Sequence, residues 1–202
     1  KYKKYIFLVI FYYICYNIYI MDVELKIIEF LQANISPGWI TFFQFVTMFG
    51  SYLGFFITFI ILFIKKRNLS YALAIAFVVS SIINHFLKLI IAKDRPFVNN
   101  EQIKNYGNED GYSMPSGHSL CAGIFATYLF YFILQTYKTL SYRICGGIFL
   151  SLFAILIAFS RMVLGVHYLS DVFLGLILGI LFAIISILLY NLTIKSFKRK
   201  LK

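Results

Sequence analysis

Apolar residues fall in long runs, with charge confined to short breaks between them. The run Ile40–Ile64 carries no charged side chain. A helix needs about 20 apolar residues to cross the hydrocarbon core of a bilayer, so this run suffices and has length for tilt. Further runs are Tyr5–Met21, Leu69–Ile91, Leu120–Leu134, Ile144–Ala158 and Val172–Leu192. Two of these are short and must be completed by flanking apolar or aromatic residues. The pattern predicts an all-α, polytopic membrane protein with six transmembrane helices. After the first span, Asp22–Leu31 alternates charge with Val23, Ile27, Ile28 and Leu31 at helical spacing. That spacing predicts a short interfacial helix, ended by a turn at Ser36-Pro37-Gly38.

No internal repeat or long linker divides the chain. Residues 1–202 therefore read as one integral-membrane domain, with a core of about 47–192 carrying the chemistry and a basic tail at 195–202. Lys3 and Lys4 before the first run also suit a signal peptide, but no small-residue cleavage site follows, so a retained span is expected. The chain opens on Lys1 rather than Met, which leaves open where the native chain starts.

Composition agrees with the membrane class. The chain is 61% hydrophobic and its mean hydropathy is +0.82, whereas soluble domains are nearer half apolar. The net charge of +11 invites a nucleic-acid reading, but its distribution excludes one. Lys1, Lys3, Lys4, Lys65, Lys66, Arg67, Lys138, Arg143, Lys195, Lys198, Arg199, Lys200 and Lys202 all fall on one side of the expected topology, with no Asp or Glu. Every acidic residue lies on the other side, with Lys26, Lys88, Lys93, Arg95, Lys104 and Arg161. Basic loops mark the cytoplasmic side, so both termini are expected in the cytoplasm, with the tail on anionic lipid headgroups. Cys15, Cys121 and Cys145 lie in apolar runs without metal-ligand spacing and read as packing residues.

Three polar clusters interrupt the hydrocarbon runs, and the topology puts all three at the extracytoplasmic face of a multi-pass cell-membrane protein. Charge at the edge of hydrocarbon is costly and points to function. Lys88 and Arg95 are seven apart, two turns on a helix, so both should face one way, with Pro96 ending the helix. Such cations suit an anion with several oxygens. Lys93 and Asp94 read as solvated interface charges. Pro115-Ser116-Gly117-His118 follows a polar loop and opens an apolar run, which places it at a helix N-terminus able to bind phosphate. Ser116 adds a hydroxyl, Gly117 allows close backbone approach, and His118 can pass a proton to a leaving oxygen. Ser160-Arg161 ends one run, and His167 and Asp171 begin the next. Spaced by four on a helical turn, the carboxylate can hold the imidazole and leave its other nitrogen free to attack. His85 reads as a packing or hydrogen-bonding residue of its span. Tyr112 and Trp39 either edge the site or anchor at the interface. Glu101, Glu109 and Asp110 have no ligand spacing; they read as solvated loop charges, and no metal is expected.

The series Lys88-x6-Arg95-Pro96, Pro115-Ser116-Gly117-His118, and Ser160-Arg161-x5-His167-x3-Asp171 resembles the type 2 phosphatidic acid phosphatase superfamily in motif, order and spacing, from roughly Thr47 to Leu192. The resemblance implies a six-helix membrane phosphatase with no cofactor. It implies His167 as a nucleophile forming phosphohistidine, Asp171 orienting it, and His118 as acid and then base. Lys88, Arg95, Ser116, Gly117 and Arg161 would bind the phosphate oxygens. The density of spans argues against the soluble acid phosphatases and haloperoxidases of the superfamily. The expected partners are membrane lipids and a lipid phosphate substrate, with undecaprenyl pyrophosphate first and phosphatidylglycerophosphate or phosphatidate as the alternative. Phosphotransfer to a lipid acceptor and a non-catalytic lipid-phosphate binder or transporter are the competing readings. The intact His118, His167 and Asp171 argue against the binder, which needs cations but no oriented imidazole.

Overall fold

The structure is a computed structural model that describes residues 20–200. The first apolar run, Tyr5–Met21, lies almost wholly outside the described residues, as does the end of the basic tail. The described residues are helical without any strand. Residues 20–33 form α1, followed by α2 (Pro37–Thr47), a 3-10 turn (Met48–Gly50), α3 (Tyr52–Ile91), α4 (Pro96–Asn99), α5 (Gly117–Thr136), α6 (Leu140–Val163) and α7 (Leu169–Lys200). Four helical stretches among these residues, Tyr52–Asn99, Gly117–Thr136, Leu140–Val163 and Leu169–Ser196, are long and apolar enough to cross a membrane. Their outer faces expose large apolar side chains such as Phe56, Ile75, Phe86, Phe149 and Leu189, as lipid contact demands.

Two expectations of the hydropathy pattern are refined. The break at Lys65–Asn68 is real: Lys66 has φ −148° and ψ 64° inside α3. The two arms fold back on each other there, with Phe55 stacked on Phe77 at 4.5 Å and Phe63 edge-on to Tyr71 at 6.3 Å. The run Ile40–Ile64, expected as one span, is instead α2, the 3-10 turn and the first arm of α3. Hydropathy cannot register this break, because its residues, Gly50 and Ser51, are small and uncharged. Gly50 is required by close approach: a Cβ there would stand 2.6 Å from Ile157 Cγ2 and 2.9 Å from the His118 carbonyl oxygen.

The contact that positions the site is the packing of α5 on α7. Gly175 and Gly179 are four apart on α7, and Ser119 and Gly123 are four apart on α5. Small residues at this spacing let helix backbones touch inside a membrane. A Cβ at Gly175 would stand 2.5 Å from the Ser116 carbonyl oxygen, and one at Gly123 would stand 2.8 Å from that of Leu176. A Cβ at Gly179 would collide with the Leu120 carbonyl. The N-termini of α5 and α7 are thereby held together, and Ser116 N donates to the Asp171 carbonyl at 3.1 Å. Leu73, Leu120, Ile124, Tyr128 and Ala183 fill the core below that junction.

Gly179→Ala should separate α5 from α7, because overpacking a tight contact costs about 1–3 kcal/mol. The expected result is a lower thermal midpoint in detergent, whereas Gly38→Ala, where a Cβ meets nothing within 4 Å, should leave it unchanged.

Candidate active site

The site forms at one end of the bundle, where α3 and α6 end and α5 and α7 begin. The basic turns around Lys66 and Arg143 lie at the opposite helix ends. Arg95 and Arg161 are almost fully buried, at 2% and 1% exposure, and a buried charge must be paired and hydrogen-bonded. Arg95 Nε donates to the carbonyls of Asp110 (3.2 Å) and Gly111 (3.0 Å), and Nη1 donates to the carbonyl of Val166 at 2.9 Å. Its Nη2 reaches Glu109 Oε2 at 3.1 Å. Arg161 donates from Nη1 to Thr47 Oγ1 at 2.8 Å and from Nη2 to Glu109 Oε1 at 2.5 Å. Its Nε, also buried, has no partner among the described residues.

Lys88 and Arg95 meet by a different route from the expected helix face. α3 ends at Ile91, and Ala92 turns the chain through a left-handed conformation (φ 48°). Arg95 is the extended N-cap of α4. Both side chains nonetheless grip one loop, Lys88 Nζ donating to the Tyr112 carbonyl at 2.6 Å and Arg95 to those of Asp110 and Gly111.

Ser116 caps α5, its hydroxyl accepting from Ser119 N at 3.4 Å and from Ser119 Oγ at 3.0 Å. Gly117 and His118 form the first turn of α5, and His118 Nδ1 stands 3.6 Å from Glu109 Oε1. His167 precedes α7 rather than sharing its first turn with Asp171. Asp171 folds back as a cap, Oδ2 accepting from Tyr168 N at 3.0 Å, a standard way to satisfy a helix-end donor. The same oxygen faces His167 Nδ1 at 3.5 Å, too long for a formed hydrogen bond, so Nδ1 has no partner among the described residues. Burial pushes the His167 imidazole down from 6.5 to about 3; Asp171 opposes this shift, while the Arg161 and Lys88 charges add to it. The ring is therefore neutral at neutral pH, as a nitrogen nucleophile must be.

Two residues read as solvated are parts of the site. Glu109 lies between Arg95, Arg161 and His118. Burial would raise its carboxyl, but the Arg161 and Arg95 charges outweigh burial and hold it below its ordinary range. Lys93 Nζ reaches Asp171 Oδ1 at 3.0 Å, Ser170 Oγ at 2.8 Å and Glu24 Oε2 at 3.6 Å, above the Tyr168 ring. Glu24, buried on α1, also accepts from Ser170 N at 2.6 Å. Asp94, Glu101 and Asp110 are exposed, as expected. His85 is exposed too, and its neighbour Asn84 faces the site instead, its Nδ2 beside Gly117 and its Oδ1 without a partner among the described residues. Thr47, Asn84 and Glu24 were missed because an uncharged polar residue in an apolar run, or a charge in an amphipathic segment, carries no distinguishing pattern.

The PAP2 superfamily profile matches residues 67–195. The chain belongs to the PAP2 superfamily. It is similar to the undecaprenyl-diphosphatase of Sulfolobus acidocaldarius, 31% identical over 82% of this chain and 77% of that protein. It is also similar to phosphatidylglycerophosphatase B of Bacillus subtilis, 34% identical over 47% of this chain and 43% of that one. The match thus spans less than half the length of the Bacillus relative. In fold it resembles the crystal structure of the transmembrane PAP2 type phosphatidylglycerolphosphate phosphatase from Bacillus subtilis, with a TM-score of 0.74, 22% identity and coverage of 98% and 95% of the two chains.

Because the folded state holds His167 neutral, its contribution to stability is complete above 6.5 and is lost as pH falls from there toward about 3. One such group changes stability by at most about 1.4 kcal/mol per pH unit. Thermal melts in detergent should therefore fall on acidification below 6.5, and less steeply in His167→Gln. Equal slopes in the two proteins would place the acid sensitivity elsewhere.

Proposed function

We propose that this chain is a membrane lipid phosphatase that acts at the extracytoplasmic face through a phosphohistidine on His167, with a polyprenyl diphosphate of the undecaprenyl kind as its preferred substrate. The observation that carries the reading is the neutral, buried His167 backed by the Asp171 carboxylate at 3.5 Å, close enough to Lys88 and Arg161 for their charges to act on it. Phosphoryl transfer is mainly positioning and charge stabilisation, and these side chains provide both.

The reaction follows in two steps. With Nδ1 toward Asp171, His167 Nε2 attacks phosphorus, and the bond from phosphorus to the leaving oxygen breaks. His118, at the N-terminus of α5, takes up a proton in the negative field of the bound phosphate and gives it to that oxygen. Neutral His118 then takes a proton from water as the water attacks the phosphohistidine, and inorganic phosphate leaves. Lys88, Arg95 and Arg161 hold the phosphate oxygens with the backbone and hydroxyl groups of Ser116 and Gly117. The unpartnered Arg161 Nε supports this role, since it is a buried donor with unused capacity. Asp171 orients His167 and balances the imidazolium charge as the N–P bond forms.

The polyprenyl preference is supported by the undecaprenyl-diphosphatase relative, which is matched over more of its length than phosphatidylglycerophosphatase B. We also propose six spans: the first apolar run, the two arms of α3, and α5, α6 and α7. In this arrangement α1 lies along the extracytoplasmic interface, supported by the reach of Glu24 to Ser170. The basic turns then face the cytoplasm.

The test is a substrate panel in one detergent with chelator present, measuring phosphate released from undecaprenyl pyrophosphate, phosphatidylglycerophosphate and phosphatidate. Undecaprenyl pyrophosphate should be hydrolysed fastest. His167→Ala should lose about a thousandfold or more in turnover while remaining folded at neutral pH, and undiminished release would remove His167 from the chemistry.

A further inference from the structure

Glu109 places a carboxylate where the proposed reaction needs a phosphate. Its Oε1 is 2.5 Å from Arg161 Nη2 and 3.6 Å from His118 Nδ1, and its Oε2 is 3.1 Å from Arg95 Nη2. Two carboxylate oxygens straddling two guanidinium groups make the same kind of contact as one face of a phosphate. The backbone that carries this side chain is clamped on both sides. Asn105 Nδ2 donates to the Glu109 carbonyl at 3.0 Å, and Glu109 N donates to Asn105 Oδ1 at 3.2 Å. On the other side Arg95 holds the carbonyls of Asp110 and Gly111. The side chain itself is 27% exposed, so it can rotate toward solvent without the loop opening.

We propose that Glu109 is a specificity-determining residue: a resident carboxylate that competes for the Arg95–Arg161 anion site and selects incoming groups by charge. The inference rests on reading that site as the phosphate site. A terminal phosphate or diphosphate carries close to two negative charges or more at neutral pH. The phosphodiester of an ordinary membrane phospholipid carries one, the same as the carboxylate it would have to displace. Only the more highly charged group gains from the exchange. In a membrane where phosphodiesters vastly outnumber terminal phosphates, this keeps the cationic site clear of bulk lipid headgroups.

The competing account makes Glu109 a scaffold that neutralises and aligns two buried arginines, in which case its removal weakens anion binding. The accounts separate by calorimetric titration of the detergent-solubilised full chain at mildly alkaline pH. The probes are inorganic phosphate, mainly dianionic there, and dimethyl phosphate, a monoanion. Glu109→Gln should bind inorganic phosphate about tenfold tighter, the factor expected if the carboxylate leaves the site in a tenth of wild-type molecules. The preference for phosphate over dimethyl phosphate should narrow in the same variant. Unchanged or weaker phosphate binding, or an unchanged preference, overturns the proposal. Asn105→Ala loosens the clamp without touching the anion site, so it should also tighten phosphate binding, and add nothing in the Glu109→Gln background. If Glu109→Gln does not fold, the absence of tightening in Asn105→Ala overturns the proposal. These readouts need no turnover. Phosphate binding that follows this pattern in a protein releasing no phosphate from any lipid would sink the hydrolase reading alone.

Discussion

A buried guanidinium cannot be left without partners, and in this molecule that constraint shapes the site. Arg95 spends its donors on the carbonyls of Asp110, Gly111 and Val166 and on Glu109. The first, second and fourth of these partners belong to the segment that leads into α5. The third belongs to the segment that leads into α7. One side chain thus ties both approaches to the helix N-termini that carry His118 and Asp171. Replacing water around a guanidinium costs several kcal/mol unless its hydrogen bonds are recovered, and here loop carbonyls recover them. The loops are ordered because the charge is buried.

The membrane part of the fold supplies the complementary constraint. Hydrocarbon gives helices no hydrophobic reason to associate, so close backbone packing must do it. Gly175 and Gly179 on α7 and Gly123 on α5 provide that packing directly beneath the site. The α5–α7 junction fixes the helix ends in depth and rotation, and Arg95 then fixes the loops between them. Gly50 closes the third side, its lack of a Cβ letting the turn before α3 rest on the His118 backbone.

This division explains what could be read from sequence. Uninterrupted apolar runs reveal helices, so α5, α6, α7 and the reversal at Lys66 were legible, as were the three polar clusters that the structure brings together. The break at Gly50-Ser51 was hidden because small uncharged residues do not lower hydropathy. The departure of Arg95 from the helix of Lys88 was hidden because Ala92 adopts a left-handed turn, a conformation with no signature in an alanine. Glu109 and Lys93 were misread for a different reason. Whether a loop charge is solvated depends on which distant cation or carboxylate it meets, and Glu109 meets Arg161 while Lys93 meets Glu24 and Asp171. Local spacing carries no information about such pairings.

Those two residues divide the charges of the site into two sets. Lys93 is committed to Asp171 and Glu24, with its ammonium over the Tyr168 ring, and that set lies on the side of His167 facing α1. Glu109 is committed to Arg95 and Arg161 and lies toward His118. Each carboxylate thus neighbours one histidine, but their neighbourhoods differ in a way that matters for chemistry. Asp171 is fully buried, caps α7 and is held by Tyr168 N and Lys93. It cannot leave without unmaking the helix start. Glu109 is partly exposed on a loop, and among the described residues only the two arginines and the nearby histidine engage its carboxylate. Under the proposed mechanism, a permanent counter-charge stands behind His167 and a replaceable one stands among the groups that would bind the anion. That asymmetry suits a site that must keep its imidazole oriented through every turnover while exchanging the anion in front of it.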